Sequence, residues 1–422
     1  MRQRGLGRIG VSRRGRPLLR AGRAKRRVPP AIMVIFVVVL AVTAWESTPA
    51  GSKRATNTVS GGLSPVAPVA PVAPVAPVAP VAPVAPVAPG SAKADPAPGT
   101  GTAAPGAPSS AVPVVSVPRV APAIHSGRFA SGVAAGTLAE ANGWAAFRGR
   151  ANDVIVTYTD RSSWQTITHP WMGTDRSHFA GFPGTWVISQ PLFPQSGPET
   201  GNLTDCAAGA YDDHWRDFGR WLVARGRGSS FIRLGWGFNG ARFPWAAFDP
   251  PSWIRCFRGV ASAIRRTAPQ ARIDWNFDAH GSIAVGSAFD LYPGDAYVDV
   301  IGVDAYDQGP PSPDPASFDT QCNGTDGLCQ AIAFARLHDK LFSVPEWGVA
   351  ARDGSRAGPS GAAGGDNPVF VAKMREVFIA NADVLAYEAY SNDDRPGDVR
   401  SALINPSVNP MAAREYQQLW SS

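Results

Sequence analysis

Residues 231–239 read FIRLGWGFN, residues 272–281 RIDWNFDAHG, residues 298–307 VDVIGVDAYD and residues 341–348 LFSVPEWG. Each is an apolar run of strand length that closes on polar, Gly or Trp residues. Between the first two, Trp253, Phe257, Val260 and Ile264 recur at helical spacing, with Asp249 and Pro250 in front and Arg265, Arg266 and Pro269 behind. That pattern is a capped amphipathic helix. The alternation continues outward: FASGVAAG (129–136), DVIVTYTD (153–160) and TWVISQPL (185–192) come before, and VLAYEAYSND (384–393) comes after. Trp215, Phe218 and Leu222 share a helical face before the fourth run, and Asn367 with Pro368 opens a helix whose Phe370, Met374 and Val377 do the same. Eight strand-and-helix alternations predict an α/β protein, a (β/α)8 TIM barrel over residues 125–422, with its chemistry at the C-terminal strand ends.

The rest of the chain cannot build a core. The 422 residues include 40 Lys or Arg and 33 Asp or Glu, a formal charge of +7, yet eleven of the basic residues lie in residues 1–27 without any acid. Removing that tail leaves 40 − 11 = 29 basic against 33 acidic residues, so the remainder is near −4. A basic surface that tracks phosphate backbones is not indicated, and no nucleic-acid partner is expected. Ala31 to Trp45 is uncharged and almost wholly apolar, but shorter than the ~20 residues that comfortably span a bilayer. A cleaved secretory signal and an uncleaved anchor both fit; the long basic stretch favours the anchor, with residues 1–30 cytoplasmic. Residues 46–124 hold 17 of the 40 prolines, and PVA repeats without a break from Pro65 to Pro89. Proline at every third residue suits polyproline II, so the tract is expected to be a disordered or semi-rigid spacer. The expected location is the cell membrane with the barrel outside, or the medium if the segment is cleaved.

Four cysteines, Cys206, Cys256, Cys322 and Cys329, all fall in the barrel region. In an exported chain they allow three disulfide connectivities. The short Cys322 to Cys329 loop most resembles a local staple, which would leave Cys206 with Cys256. No CxxC pair or metal-like Cys/His spacing occurs, so neither a metal nor another cofactor is expected. A monomer is expected.

The strand ends carry Asp160, Gln190, Trp236 to Asn239, Trp275 to Asp278, Asp304 to Asp307, Glu346 with Trp347, and Tyr390 to Asn392. Twelve of the 13 Trp lie in this domain. Flat aromatic faces beside amides and carboxylates suit a sugar ring, with its apolar C–H faces and its belt of hydroxyls. Any single Trp is more often core than platform, but clustering at several strand ends predicts that Trp236, Trp275 and Trp347, with Asn239 and Asn276, line a sugar cleft.

The strings RLGWGFNG, DWNFDAHG, YPGDAYVDVIGVDAYD, VPEWG and GDNPVF, in this order, resemble the successive signatures of glycoside hydrolase family 26, best known for β-mannanases. The resemblance runs through roughly residues 125–420. It implies a retaining endo-acting β-glycanase on a mannan-like polysaccharide, with Glu346 of VPEWG as nucleophile and Tyr306 of GVDAYD holding it in place. It also implies a glutamate general acid and base in RLGWEFNG, where this chain has Gly237. Retaining hydrolysis needs two carboxyl groups, and glycine supplies none.

Three explanations stand side by side: a sugar-binding relic, a substitute carboxylate such as Asp278 or Asp307, or an engineered or erroneous codon. Asp278, after the neighbouring strand, is the preferred substitute, although a loop-capping role in FDAHG is the plainer reading. Asp295 and Asp366 are read as turn and helix-cap residues. The main alternative to an enzyme is a non-catalytic polysaccharide binder at the cell surface. A barrel used only for protein contacts would leave the sugar-suited strand ends idle.

Overall fold

The computed structural model describes residues 129–421 apart from 175–176, 178, 282–285, 353–362 and 396. The basic tail, the apolar segment and the PVA tract lie outside the described residues. Among those that are described, no helix is long and apolar enough to cross a membrane.

In chain order come β1 (Ser131–Ala134), α1 (Leu138–Arg148), β2 (Val154–Tyr158), α2 (Trp164–Thr168), β3 (Thr185–Gln190), α3 (Leu203–Ala207), α4 (Asp212–Ala224), β4 (Phe231–Leu234) and α5 (Pro250–Thr267). They are followed by β5 (Arg272–Asp278), β6 (Val300–Tyr306), α6 (Pro315–Asn323), α7 (Leu328–Leu337), β7 (Leu341–Gly348), α8 (Pro368–Ala380), β8 (Leu385–Ser391) and α9 (Pro410–Trp420). The strands pair in parallel from β1 to β8 and close into a barrel. All eight apolar runs are strands, as expected. The helix signals also act as read: Asp249 caps α5 through the Ser252 N–H, and Asn367 caps α8 through the Val369 N–H at 3.0 Å. Asp366 caps a different helix, accepting the Met411 and Ala412 N–H groups at 2.8 and 2.7 Å at the start of α9.

Strand periodicity sorts the core into two layers. Val154, Val156, Val187, Phe231, Val300, Leu341, Tyr387 and Ala389 point into the barrel and form a compact inner cluster. Alternate residues such as Ile155, Trp186, Ile188, Ile232, Ile273, Trp275, Ile301 and Phe342 point outward beneath the helices. In β5 this alternation places Arg272, Asp274, Asn276 and Asp278 on the inner face, an unusually polar stripe for a barrel strand.

One irregularity matters for the site. Gly302 pairs with Ser343 and Ala305 with Trp347, so three steps along β6 match four along β7; Val344 pairs with Glu388 and Trp347 with Tyr390, again one residue extra on β7. This is a bulge. Leu341 and Ser343 face the lumen, and strict alternation would have turned Trp347 inward and Glu346 outward. The extra residue reverses the two.

Disulfides join Cys206 to Cys256, tying α3 to α5, and Cys322 to Cys329, tying α6 to α7. The connectivity agrees with the one favoured by the short loop.

Deep in the barrel, Asp274 is fully buried. Its Oδ2 accepts the Ser343 and Tyr387 hydroxyls at 2.6 and 2.5 Å, while Oδ1 has no hydrogen-bond partner. Burial pushes its carboxyl up to about 6.

Two measurements follow from this framework. Replacing Cys206 and Cys256 by Ser opens a loop of sequence separation 50, and replacing Cys322 and Cys329 opens one of 7. Loop-closure entropy then gives losses of about 4 and about 2.5 kcal/mol in urea unfolding, and a larger loss for the second pair would contradict it. For Asp274, the folded carboxyl retains its proton above the unfolded value, so its contribution to stability is present at low pH and lost as pH rises from about 4 through about 6. Asp274→Asn is expected to abolish that fall, worth roughly 3 kcal/mol; a constant stability difference between wild type and variant from pH 4 to 7 would refute the assignment.

Candidate active site

The polar side chains at the barrel mouth converge on Arg233. Its inner-face position on β4 is set by the same alternation that buries Phe231, and its side chain is fully buried. In the strand register Tyr158 pairs with Ser189 and Ser189 with Arg233, which puts three polar groups in one row across β2, β3 and β4. Arg233 accordingly donates through Nη1 to Ser189 Oγ at 3.1 Å and to Tyr158 Oη at 3.3 Å, and through Nε to Asn276 Oδ1 at 2.8 Å. Its Nη2 pairs with Asp304, and Nη1 pairs with Glu346 at 2.7 Å.

Glu346 is where the β7 bulge aims it. Tyr158 donates to its Oε1 at 2.6 Å and Tyr306 to its Oε2 at 2.9 Å. Burial would raise this carboxyl, but the Arg233 charge and the two tyrosine hydroxyls outweigh it and hold the group below the usual glutamate range. Glu346 is therefore an oriented anion. Its side chain keeps 13% of its surface open, so it can be reached from the mouth.

Position 237 offers the opposite. Gly237 has φ +62°, a left-handed backbone in which a side chain is strained. A Cβ there would come within 3.0 Å of the Phe243 ring and 3.5 Å of Asp278 Oδ1. The site reads as closed by neighbours, not as a vacancy awaiting a glutamate. Asp278 ends β5, directly opposite Asp304 in the register, and keeps 28% of its side chain exposed.

Several expected cleft residues lie elsewhere. Trp275 and Trp347 are fully buried in the outer layer. Trp275 packs on Phe238, Phe277 and Tyr292 at 5.5, 5.3 and 5.2 Å. Trp347 packs on Tyr390 and Trp420 at 4.9 and 5.3 Å and donates Nε1–H to buried Glu388 at 2.6 Å. Both indoles take the outward parity of their strands, Trp347 because of the bulge. Asn239 and Asn276 are buried and already committed. Asn239 donates to the carbonyls of Asp278 and Gly281 at 2.8 and 2.6 Å and accepts the Asp278 N–H at 2.9 Å, clamping two loops together. Asn276 bridges Arg233 and Asp304. Asp307 accepts the Ser312 N–H and the Asn367 amide at 2.7 Å each, which removes it as a substitute acid.

Trp236 alone of the three tryptophans reaches the mouth, 5.7 Å from Tyr158 and 5.3 Å from Phe243, with the Arg233 guanidinium 5.6 Å away. It is 5% exposed, so it forms wall more than platform. Tyr158 and Arg233 were missing from the expected set. The signal for Arg233 is an arginine on the inner parity of an apolar strand. Among the described residues, no group of three or more His, Cys, Asp or Glu is placed to hold a metal ion.

Residues 232–339 match the model of Glycosyl hydrolase family 26. The matched stretch takes in Gly237, Asp278, Asp304 and Tyr306 and stops short of Glu346. Solved family 26 structures with a similar barrel include a β-(1,4)-mannanase carrying a CBM35 module from Podospora anserina, with 16% identity, TM-score 0.43, and coverage of 70% of this chain and 64% of that one. An endo-β-1,4-mannanase from Cellulomonas fimi has 18% identity and TM-score 0.46, covering 66% and 65%; a family 26 β-mannanase from Bacteroides ovatus has 13% and 0.45, covering 69% and 86%. The chain thus spans less than two thirds of the first two. No curated protein matches it by sequence.

The outward placement of the two indoles sets a stability test. Trp275→Ala and Trp347→Ala should each cost about 3–5 kcal/mol in unfolding free energy, as large-to-small core changes do. Wild-type stability in either variant would mean that its ring faces the cleft after all.

Proposed function

We propose that this barrel hydrolyses a β-linked, mannan-like polysaccharide with retention of configuration, with Glu346 as nucleophile. The observation that carries the reading is the triple hold on Glu346 by Arg233, Tyr158 and Tyr306, which keeps it ionised and fixed beneath an open mouth. An attacking carboxylate must be a preorganised anion, and one kept for structure alone would not need an open side. The family 26 match supports glycoside chemistry. Mannan is the first polymer to try because the similar solved structures are β-mannanases.

Export and membrane attachment belong to the same proposal. Two disulfides support an oxidising compartment. The basic tail, apolar segment and PVA spacer supply the means of attachment. A second reading, polysaccharide binding without turnover, is favoured by Gly237 alone.

The test is covalent trapping. A 2-deoxy-2-fluoro β-mannosyl reagent with a dinitrophenyl leaving group should label Glu346, and reducing-end release from mannan should fall to background in Glu346→Gln. Binding of mannan with neither labelling nor release would establish the second reading instead.

A further inference from the structure

One buried cation at the mouth faces three carboxyls. Arg233 contacts Glu346 and Asp304 directly, and Asp304 lies opposite Asp278 in the β5–β6 register with both side chains on the inner face. Asp304 takes the Arg233 guanidinium on Oδ2 and the Asn276 amide on Oδ1 at 3.2 Å. Asp278 lies beside it across the β5–β6 pair. Asp278 also faces Arg242, 3.7 Å away and half-exposed.

We infer that Asp278 is the general acid and base of the site, in place of the side chain missing at position 237. This rests on the hydrolytic reading above. Three further observations support it. The Cβ that Gly237 lacks would sit 3.5 Å from Asp278 Oδ1, and that of Gly240 3.4 Å from Oδ2, so the two glycines leave room for this carboxyl where a residue on the β4 loop would otherwise project. Of the two paired acids Asp278 is the more open, 28% against 4%. Burial, reinforced by the Glu346 charge, raises both carboxyls, as an acid protonated before reaction needs.

The chemistry balances with these groups alone. Glu346 bonds to the anomeric carbon as the glycosidic C–O bond breaks, and the departing oxygen takes the proton held by Asp278. Asp278, now ionised, removes a proton from the water that attacks the same carbon. The ester to Glu346 breaks and Asp278 is left protonated again. Asp304 is a positioning residue: held by Arg233 and Asn276, it sets the charge beside Asp278 without touching the sugar.

The full-length protein should be assayed on two aryl β-mannobiosides, one with a dinitrophenyl and one with an unsubstituted phenyl leaving group. Asp278→Asn should lose about 10²–10⁴ of kcat/KM on the phenyl substrate while keeping it on the dinitrophenyl one, and azide should restore turnover of the latter as a β-mannobiosyl azide. Asp304→Asn removes the like carboxylate beside Asp278, so the alkaline limb of kcat/KM should move to lower pH. That shift also decides the matter if Asp278→Asn does not fold. Equal activity of Asp278→Asn and wild type on the phenyl substrate, or an unmoved alkaline limb in Asp304→Asn, overturns the inference while trapping of Glu346 leaves the hydrolytic reading intact. Failure of trapping in wild type overturns both.

Discussion

The Arg233 guanidinium is the one charge on which the mouth depends. It is buried in the barrel, and its three nitrogens meet oxygens from four other strands: Ser189 on β3, Asn276 on β5, Asp304 on β6 and Glu346 on β7. Taking a cation out of water costs several kcal/mol unless good pairing offsets it. Here the pairing is supplied by residues that chemistry would want nearby anyway. Without the cation, Glu346, Asp304 and Asp278 would face one another in a low-dielectric space and would have to take up protons. The ionised state of Glu346 is therefore a property of four strands held in register.

The polar stripe on β5 extends this logic down the barrel. Arg272 lies over the Phe231 ring at 3.7 Å, Asp274 takes two hydroxyls, Asn276 braces Arg233, and Asp278 reaches the mouth. A strand with four inward polar groups is tolerated because almost every one is met by a partner on another strand. The exception, Asp274 Oδ1, is the atom whose burial shows in its raised pKa.

Much of this was legible in the chain. Strand runs, helix caps and the staple formed by Cys322 and Cys329 follow from local rules: period two, a capping Asp or Asn before Pro, and a short loop. Counting alternation outward from Arg272 would have turned Trp275 away from the cleft, so that error was avoidable. Trp347 was not readable in this way, since counting from Leu341 places it inside and Glu346 outside. The bulge leaves one mark in the sequence, Pro345 inside a strand bonded on both sides, but its phase is set by how β7 pairs with β6 and β8. Tyr158 was equally hidden, since its importance comes from Glu346, 188 positions away.

The same bulge gives β7 a phase that the closed barrel locks. In an open sheet an edge strand can slide to smooth out an extra residue, but β7 is bonded on both sides and has nowhere to go. A β7 paired without the bulge, all its residues kept, would move everything after Val344 one place against β6 and β8 and exchange the faces behind it. An indole would enter the lumen beside Arg233, and a carboxylate would be driven into the aromatic shell around Trp420. The reach of Glu346 into the mouth is in this sense a matter of counting, four steps on β7 against three on β6.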